Sequence, residues 1–317
     1  RPYSWNYSYH PNPYFLQQRN GNRDQRDRLI GNVALSYQLT DWLSAAVKTG
    51  TDWYQDDRKT MYAEGNWGVT NVSPITGLDE IVGDRGAFGL YQIGFQETNT
   101  DFLLSMDRDL TDVISLNANV GGNRRDFRRQ TNYVWVAGLS APGIYSVENA
   151  AETPDPFDYL ARKRVNSLYG QAEFGYNNYL FLTFTGRNDW SSTLPEENNS
   201  YFYPSVSGSF ILTDALPGLV GPALSYAKLR ASWARVGSDA DPYQLVNTFL
   251  SNPAFDGFPR FEVANTIKNA NLKPESTESW EIGTELGVDA GGRAGKPPRP
   301  ALEYAIPQPP VDEKPRR

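Results

Sequence analysis

The chain has 317 residues, a formal net charge of −7, one His and no Cys. The lack of Cys excludes disulfide frameworks and thiol nucleophiles, and a single His excludes multi-His metal sites. The acidic balance argues against a nucleic-acid-binding surface, and a mean hydropathy of −0.57 excludes a helical membrane protein but not a membrane β-barrel.

Large apolar residues alternate with polar ones along most of the chain. The alternating runs cover residues 33–39, 43–47, 114–120, 168–176, 180–184, 227–234 and 280–288. A period of two is typical of a β-strand that turns one face to an apolar medium and the other to a polar one. No segment of similar length keeps a helical period of 3.6. The pattern therefore predicts an all-β, antiparallel fold of about 10–12 strands.

Short and long connections alternate between these runs. The short ones fall at Thr40-Asp41, 108–112 and Asn177-Asn178, and the long ones at 55–87, 124–165, 188–201 and 237–276. Runs of about nine to eleven residues are long enough to cross a bilayer at a tilt. Together these features predict an up-and-down transmembrane β-barrel, here a partial barrel with long extracellular loops. The competing interpretation is a soluble antiparallel sheet with one solvated face.

Carboxylates in the long loops are the main candidates for chemistry. Asp189, Glu196-Glu197, Asp239 and Asp241 could pair for glycosidic chemistry, or they could simply solvate the loops. The basic run 124–129 is suited to anionic lipid headgroups, or else to a solvated loop. Phosphate-binding glycine motifs are absent from the sequence. We therefore predict no catalytic residues, no metal site and no cofactor, so the chain is not expected to be an enzyme.

Four segments resemble barrel segments of SusC/RagA-type TonB-linked outer-membrane proteins. They are NYLFLTFTGRNDWSSTL at 178–194, YFYPSVSGSF at 201–210, AKLRASWARVGS at 227–238 and NANLKPESTESWEIGTELG at 269–287. Their order and spacing match the family, and the resemblance covers about residues 165–288. Residues 28–164 fit the family by alternation only.

The resemblance implies TonB-dependent import of a large nutrient, an oligosaccharide or a peptide, across a Gram-negative outer membrane of the Bacteroidetes type. Its implied partners are the TonB–ExbB–ExbD complex acting through a plug, a SusD-like surface lipoprotein acting as a lid, and outer-membrane lipid, with no nucleic acid. Substrate or lid contacts are then expected in the long loops. The candidate residues there are Trp67, Asp189, Trp190, Asp239, Asp241 and Tyr243.

The family places a plug and a TonB box before a barrel of about 22 strands. We therefore expect residues 1–288 to form a partial TonB-dependent receptor barrel, as a fragment that is inactive alone. Residues 289–317 are Pro-rich and basic, and we expect them to be a disordered, artefactual tail. The alternative function is a secreted all-β carbohydrate-binding or hydrolytic module, which would not need a membrane.

Overall fold

The computed structural model describes residues 12–66, 69–72, 79–82, 85–221 and 224–288. Within these ranges the chain forms thirteen strands: β1 Gly21–Thr40, β2 Leu43–Tyr62, β3 Val69–Val72, β4 Asp79–Val82, β5 Ala87–Thr111, β6 Ile114–Val136, β7 Asp155–Tyr176, β8 Leu180–Ser191, β9 Ser200–Ile211, β10 Tyr226–Ser238, β11 Phe249–Phe255, β12 Phe258–Val263 and β13 Glu275–Gly287. The helices are α1 Pro13–Arg19, α2 Leu212–Ala215 and the short 3₁₀ segments Val147–Asn149, Glu196–Asn198 and Pro217–Leu219. None of the helices in these ranges has the length and apolar character needed to cross a membrane.

Nine of the strands form one sheet in the order β1-β2-β5-β6-β7-β8-β9-β10-β13. The pairs β3–β4 and β11–β12 are separate antiparallel hairpins inside two of the long connections. The predicted fold class, an all-β antiparallel partial barrel, is confirmed. His10, Trp67 and the tail 289–317 lie outside the described residues.

The tight turn between β7 and β8, residues 177–179, follows from its sequence. Asn177 and Asn178 both have positive φ angles, 48° and 58°. Asn tolerates this left-handed region better than most residues, and two such residues in a row match the twist of a hairpin. The backbone N–H of Tyr179 donates to the carbonyl oxygen of Tyr176 at 3.1 Å, which closes the turn. The short turn predicted at 108–112 instead follows Thr111, where β5 ends.

Several strands run further into the predicted long loops than the alternation indicated. The basic run 124–129 is part of β6, which continues to Val136, and Asp189 and Trp190 belong to β8. The prediction of loop positions for these residues was therefore wrong. Where both faces of a strand carry polar residues, no apolar period remains to mark the strand in the sequence.

The chain divides into two compact units, which are described separately. Among the described residues, the first lies within Arg1–Val33, Thr49–Thr100 and Arg125–Lys163, and the second within Ala34–Lys48, Asp101–Arg124 and Arg164–Arg317.

The first unit contains two apolar clusters on opposite faces of β5 and β6. One consists of Ala87, Tyr91, Tyr133 and Trp135, and the other of Phe88, Val136 and Leu139. The rings of Tyr91 and Tyr133 stack with centroids 4.3 Å apart. Both faces are therefore covered by protein in this part of the sheet, as in an ordinary soluble core.

In the second unit, an exposed apolar row crosses four strands. The register places Phe184 of β8 opposite Val206 of β9, Val206 opposite Trp233 of β10, and Trp233 opposite Trp280 of β13. Trp280 is 79% exposed, and the rings of the two Trp residues lie 6.1 Å apart. Directly paired residues of antiparallel strands share one face, so these side chains form a continuous apolar surface.

A polar row runs along the opposite face of the same strands. Glu173 pairs with Thr183, Thr183 with Ser207, Ser207 with Ser232, and Ser232 with Glu281. The hydroxyl of Thr183 donates to a carboxylate oxygen of Glu173 at 3.0 Å. The sheet in this unit is therefore two-sided, with one apolar and one polar face.

Candidate functional site

The polar face of β7, β8 and β9 carries a hydrogen-bonded group that we call the wall cluster: Ser167, Tyr169, Arg187, Asp189 and Tyr203. The guanidinium of Arg187 donates to Asp189 Oδ1 at 2.8 Å and to the hydroxyl oxygen of Ser167 at 2.8 Å. The Tyr203 hydroxyl donates to Asp189 Oδ2 at 2.5 Å. Because both carboxylate oxygens have donors and Asp189 is buried, its charge is compensated inside the protein.

Asp239, the first residue after β10, is hydrogen-bonded to residues at the end of β8. The Ser191 hydroxyl donates to Asp239 Oδ2, and the Thr193 hydroxyl donates to the same oxygen at 3.5 Å. Ser191 and Thr193 are themselves 2.9 Å apart and buried. These contacts fix the start of the connection 239–274 against β8.

The structure separates the predicted contact residues. Asp189 and Asp239 are bound within the protein, whereas Trp190 points to the opposite face from Asp189 because neighbouring strand residues alternate. Asp241 and Tyr243 lie exposed in the connection 239–274. Of the predicted set, the structure therefore leaves Trp190, Asp241 and Tyr243 with exposed side chains.

Tyr243 has an unusual backbone conformation. Its φ angle is 64°, a region that bulky residues rarely adopt. The Lys268 ammonium donates to its carbonyl oxygen at 2.7 Å, across 25 residues of the chain. This contact holds the two ends of the connection together and places the ring of Tyr243 at the surface.

A second polar group, whose arginine partners the sequence did not indicate, lies in the first unit. Asp56 is only 2% exposed and accepts hydrogen bonds from the guanidinium groups of Arg58 and Arg26, the Arg58 contacts being 2.7 and 2.9 Å long. The exposed apolar side chains of β2 end at Trp53, so Asp56 lies beyond the part suited to a bilayer. Hydrogen bonds from Arg58, and then from Arg26, hold the pKa of Asp56 at about 2.

Aromatic rings continue this group across the sheet. The guanidinium of Arg26 lies 5.0 Å from the ring centroid of Tyr54, and Tyr54 stacks on Phe95 at 4.6 Å. Phe127 meets Phe95 edge-on at 5.6 Å. The sequence carries a signal for this row, because Asp52, Tyr54, Asp56 and Arg58 recur at a period of two. The predicted loop begins at residue 55 and therefore divides this run.

The β11–β12 hairpin is the most exposed apolar element of the second unit. Phe249, Phe255, Phe258 and Phe261 are 64–71% exposed. The hairpin turns at Asp256-Gly257, whose φ angles are 50° and 76°. Asp-Gly between hydrophobic runs is a strong hairpin signal, and it marks this turn in the sequence.

The described ranges contain no group of three or more His, Asp or Glu side chains placed to hold a metal ion. The carboxylates with the most defined surroundings, Asp56 and Asp189, are already paired with arginines. The geometry is thus that of a polar wall with an accessible loop surface rather than that of an acid–base pair.

Comparison with known proteins identifies the family. The family model described as TonB dependent receptor-like, beta-barrel matches residues 1–294. TonB-dependent receptor P3 of Formosa agariphila is 27% identical over 289 residues, covering 87% of this chain and 27% of the relative. TonB-dependent receptor SusC of Bacteroides thetaiotaomicron is 24% identical over 309 residues, covering 92% of this chain and 29% of the relative.

Solved structures agree on the fold. The RagAB peptide transporter superposes with a TM-score of 0.75 at 15% identity, covering 90% of this chain and 31% of that chain. The RagAB peptide importer in its closed-closed state gives a TM-score of 0.73 at 16% identity, covering 88% and 30%. The chain spans less than a third of the length of these relatives. It belongs to the TonB-dependent receptor-like β-barrel family, and the match to SusC fits the predicted SusC/RagA resemblance.

Proposed function

We propose that this chain is part of the barrel wall of an outer-membrane transporter that imports a large nutrient, an oligosaccharide or a peptide. The observation that carries the proposal is the two-sided sheet. Its exposed apolar row, Phe184 to Trp280, suits lipid, and its polar row suits a water-filled interior. Soluble domains rarely expose a continuous apolar row of this length.

Energy for import would come from the TonB–ExbB–ExbD complex acting on a plug. The wall cluster suits a structural role in a barrel wall, because Arg187 and Tyr203 hold the charge of Asp189 by hydrogen bonds within the wall. A wide barrel cannot select substrates by its width alone. The selective contacts would therefore lie in the long connections, with Asp241 and Tyr243 as candidates and Trp67 as a further one from sequence.

We assign the lid contact to the β11–β12 hairpin. A SusD-like lipoprotein that caps the barrel needs an accessible surface on the long connections. Phe249 and Phe261 share one face of the hairpin, because Phe249 pairs with Val263 and Phe261 pairs with Ser251, two residues after Phe249. That face carries no charged side chain among its described residues, so it suits an apolar patch on the lid.

Uptake in cells tests the transport proposal. Cells that carry the full reading frame are given fluorescent oligosaccharides and peptides, with and without a proton uncoupler. We expect accumulation of one substrate class, its loss when the gene is deleted, and its loss with the uncoupler. Accumulation that persists without proton-motive force would contradict TonB-dependent import.

Co-purification tests the lid contact. The protein is co-expressed with a SusD-like surface lipoprotein from the same genome, and Phe249→Ser/Phe261→Ser is compared with Phe258→Ser on the other face of the hairpin. We expect the double variant to lose the lipoprotein and the control to keep it. Equal retention by all three proteins would move the lid contact to another loop.

A further inference from the structure

Among the described residues, two exposed arginines on β6 and β7 lie without a contacting carboxylate. Arg128 and Arg162 are both exposed. In the described part of the chain, neither forms an ion pair; the Arg128 guanidinium donates to the amide oxygen of Gln130 at 3.0 Å. The arginines Arg26, Arg58, Arg125, Arg187 and Arg235, by contrast, each contact a carboxylate.

The antiparallel arrangement of β6 and β7 places Arg128 and Arg162 opposite each other. Tyr169 of β7 covers Gly121 of β6. Arg128 lies seven residues after Gly121, and Arg162 lies seven residues before Tyr169. Because paired strands run in opposite directions, equal steps from one contact reach facing positions.

The packing at the far end of these strands is compatible with this register. Phe157 packs against the cluster that contains Tyr133. Arg128 lies five residues before Tyr133, and Arg162 lies five residues after Phe157. Two facing cations on one side of a sheet repel each other unless an anion lies between them.

Both side chains share the face that carries exposed apolar residues further along their strands. Arg128 and Val120 of β6 are an even number of residues apart and therefore lie on the same face, and Val120 is 55% exposed. The same holds for Arg162 and Leu168 of β7, and Leu168 is 56% exposed. Arg128 lies beyond the roughly ten residues of β6 that would cross the hydrocarbon. Long arginine side chains at this position extend toward lipid headgroups.

We infer that Arg128 and Arg162 form a binding site for the phosphate of an anionic outer-leaflet lipid. Guanidinium groups bind phosphate oxygens in a bidentate manner, and two of them facing each other suit a phosphate monoester. The inference rests on the proposed outer-membrane placement, but it does not depend on what is transported.

The test measures lipid binding by the full-length protein in phosphatidylcholine vesicles. The vesicles contain either diphosphorylated lipid A, dephosphorylated lipid A, or no added lipid, and inorganic phosphate serves as a competitor. We expect preference for diphosphorylated lipid A, little competition by inorganic phosphate, and about thirtyfold weaker binding for Arg128→Gln/Arg162→Gln. Each single variant should bind about fivefold more weakly.

Arg129→Gln is the matched control, because Arg129 is the exposed neighbour of Arg128 on the other face of β6. A difference in migration between unheated and heated samples on gels verifies that every variant folds. Unchanged binding by the double variant, or an equal loss with Arg129→Gln, would overturn the site. Competition by inorganic phosphate at the same concentration as lipid would assign the site to free phosphate and overturn the lipid as its ligand. Failure to enter vesicles would instead refute the outer-membrane placement itself.

Discussion

The ring of Tyr169 on β7 covers the backbone of Gly121 on β6 and leaves no room there for a side chain. A Cβ atom at position 121 would lie 2.6 Å from Cζ of Tyr169 and 2.7 Å from the carbonyl oxygen of Phe102. The ring fills the space that the missing side chain leaves. The contact also holds Tyr169 beside Arg187, whose guanidinium lies 5.8 Å from the ring centroid.

We expect Gly121→Ala to destabilise the folded sheet by roughly 1–3 kcal/mol, the usual cost of overpacking. The backbone oxygen of Phe102 cannot move away as a flexible side chain could. The measurement is the temperature at which the folded band on an unheated gel disappears. Gly122→Ala is the control, since its Cβ would lie at an ordinary 3.4 Å from the nearest atom, the Ser167 carbonyl oxygen; equal losses from both variants would argue against the ring contact.

Asp189→Asn should impair folding rather than substrate selection. The change leaves the mostly buried guanidinium of Arg187 without its charge partner, and breaking a buried pair typically costs about 3–5 kcal/mol. Asp241→Asn changes a carboxylate in the exposed connection and should leave folding intact. Folded yield and uptake are measured for both variants; a normally folded Asp189→Asn protein with altered uptake would return Asp189 to the substrate contacts.

The apolar and polar faces of β10 give a third prediction. Leu229 lies on the apolar side and Arg230 on the polar side, where its guanidinium is 3.8 Å from Glu281. An arginine in contact with mid-bilayer lipid costs about 2–4 kcal/mol. Leu229→Arg should therefore reduce insertion into membranes, whereas Arg230→Gln should not. Equal insertion of the two variants would place the membrane elsewhere.

Acid stability should depend on Asp56. Its pKa of about 2 in the folded protein is below the ordinary value near 3.9 in an unfolded chain. The folded state therefore gains stability from this group above about pH 4 and loses it as the pH falls toward 2. Unfolding midpoints between pH 5 and pH 2 should fall less steeply for Asp56→Asn than for the unchanged protein. Asp57→Asn, an exposed neighbour, should keep the original slope.

The chain expressed alone should aggregate. Among the described strands, β1 and β13 each have one neighbour in the sheet, so each leaves an edge unpaired. Exposed apolar residues on β1, such as Val33 and Leu35, add to this surface. Size-exclusion chromatography of refolded protein without detergent is the measurement. A single, cooperatively melting soluble monomer would favour the secreted module over the barrel.

The sequence predicts the strands only where apolar and polar residues alternate. The run Ile114, Leu116, Ala118, Val120 marks the start of β6 clearly, and Asn177-Asn178 marks a turn. After Gly122, the side chain of Arg125 points toward Glu97 on one face of β6, and that of Arg128 points to the opposite face. Both are charged, so no alternation remains to be detected.

The candidate site was less predictable than the fold for a different reason. The bond from Ser191 to Asp239 joins residues 48 positions apart, and nothing local in either segment specifies it. The sequence marks Asp189 as a candidate, but its partner Tyr203 becomes a neighbour only through the register of β8 and β9. Cross-strand pairing, which single residues do not encode, decides which carboxylates are compensated.

The strand order of the main sheet has a consequence for how the protein forms. Apart from the hairpins β3–β4 and β11–β12, each strand pairs with its neighbour along the chain. Such pairing keeps contact order low, and even the longest connection adds little entropy cost because that cost grows only logarithmically with length. Folding can therefore proceed hairpin by hairpin, with the tight turn after Tyr176 closing in microseconds. At every stage the newest strand is the template on which the following one pairs.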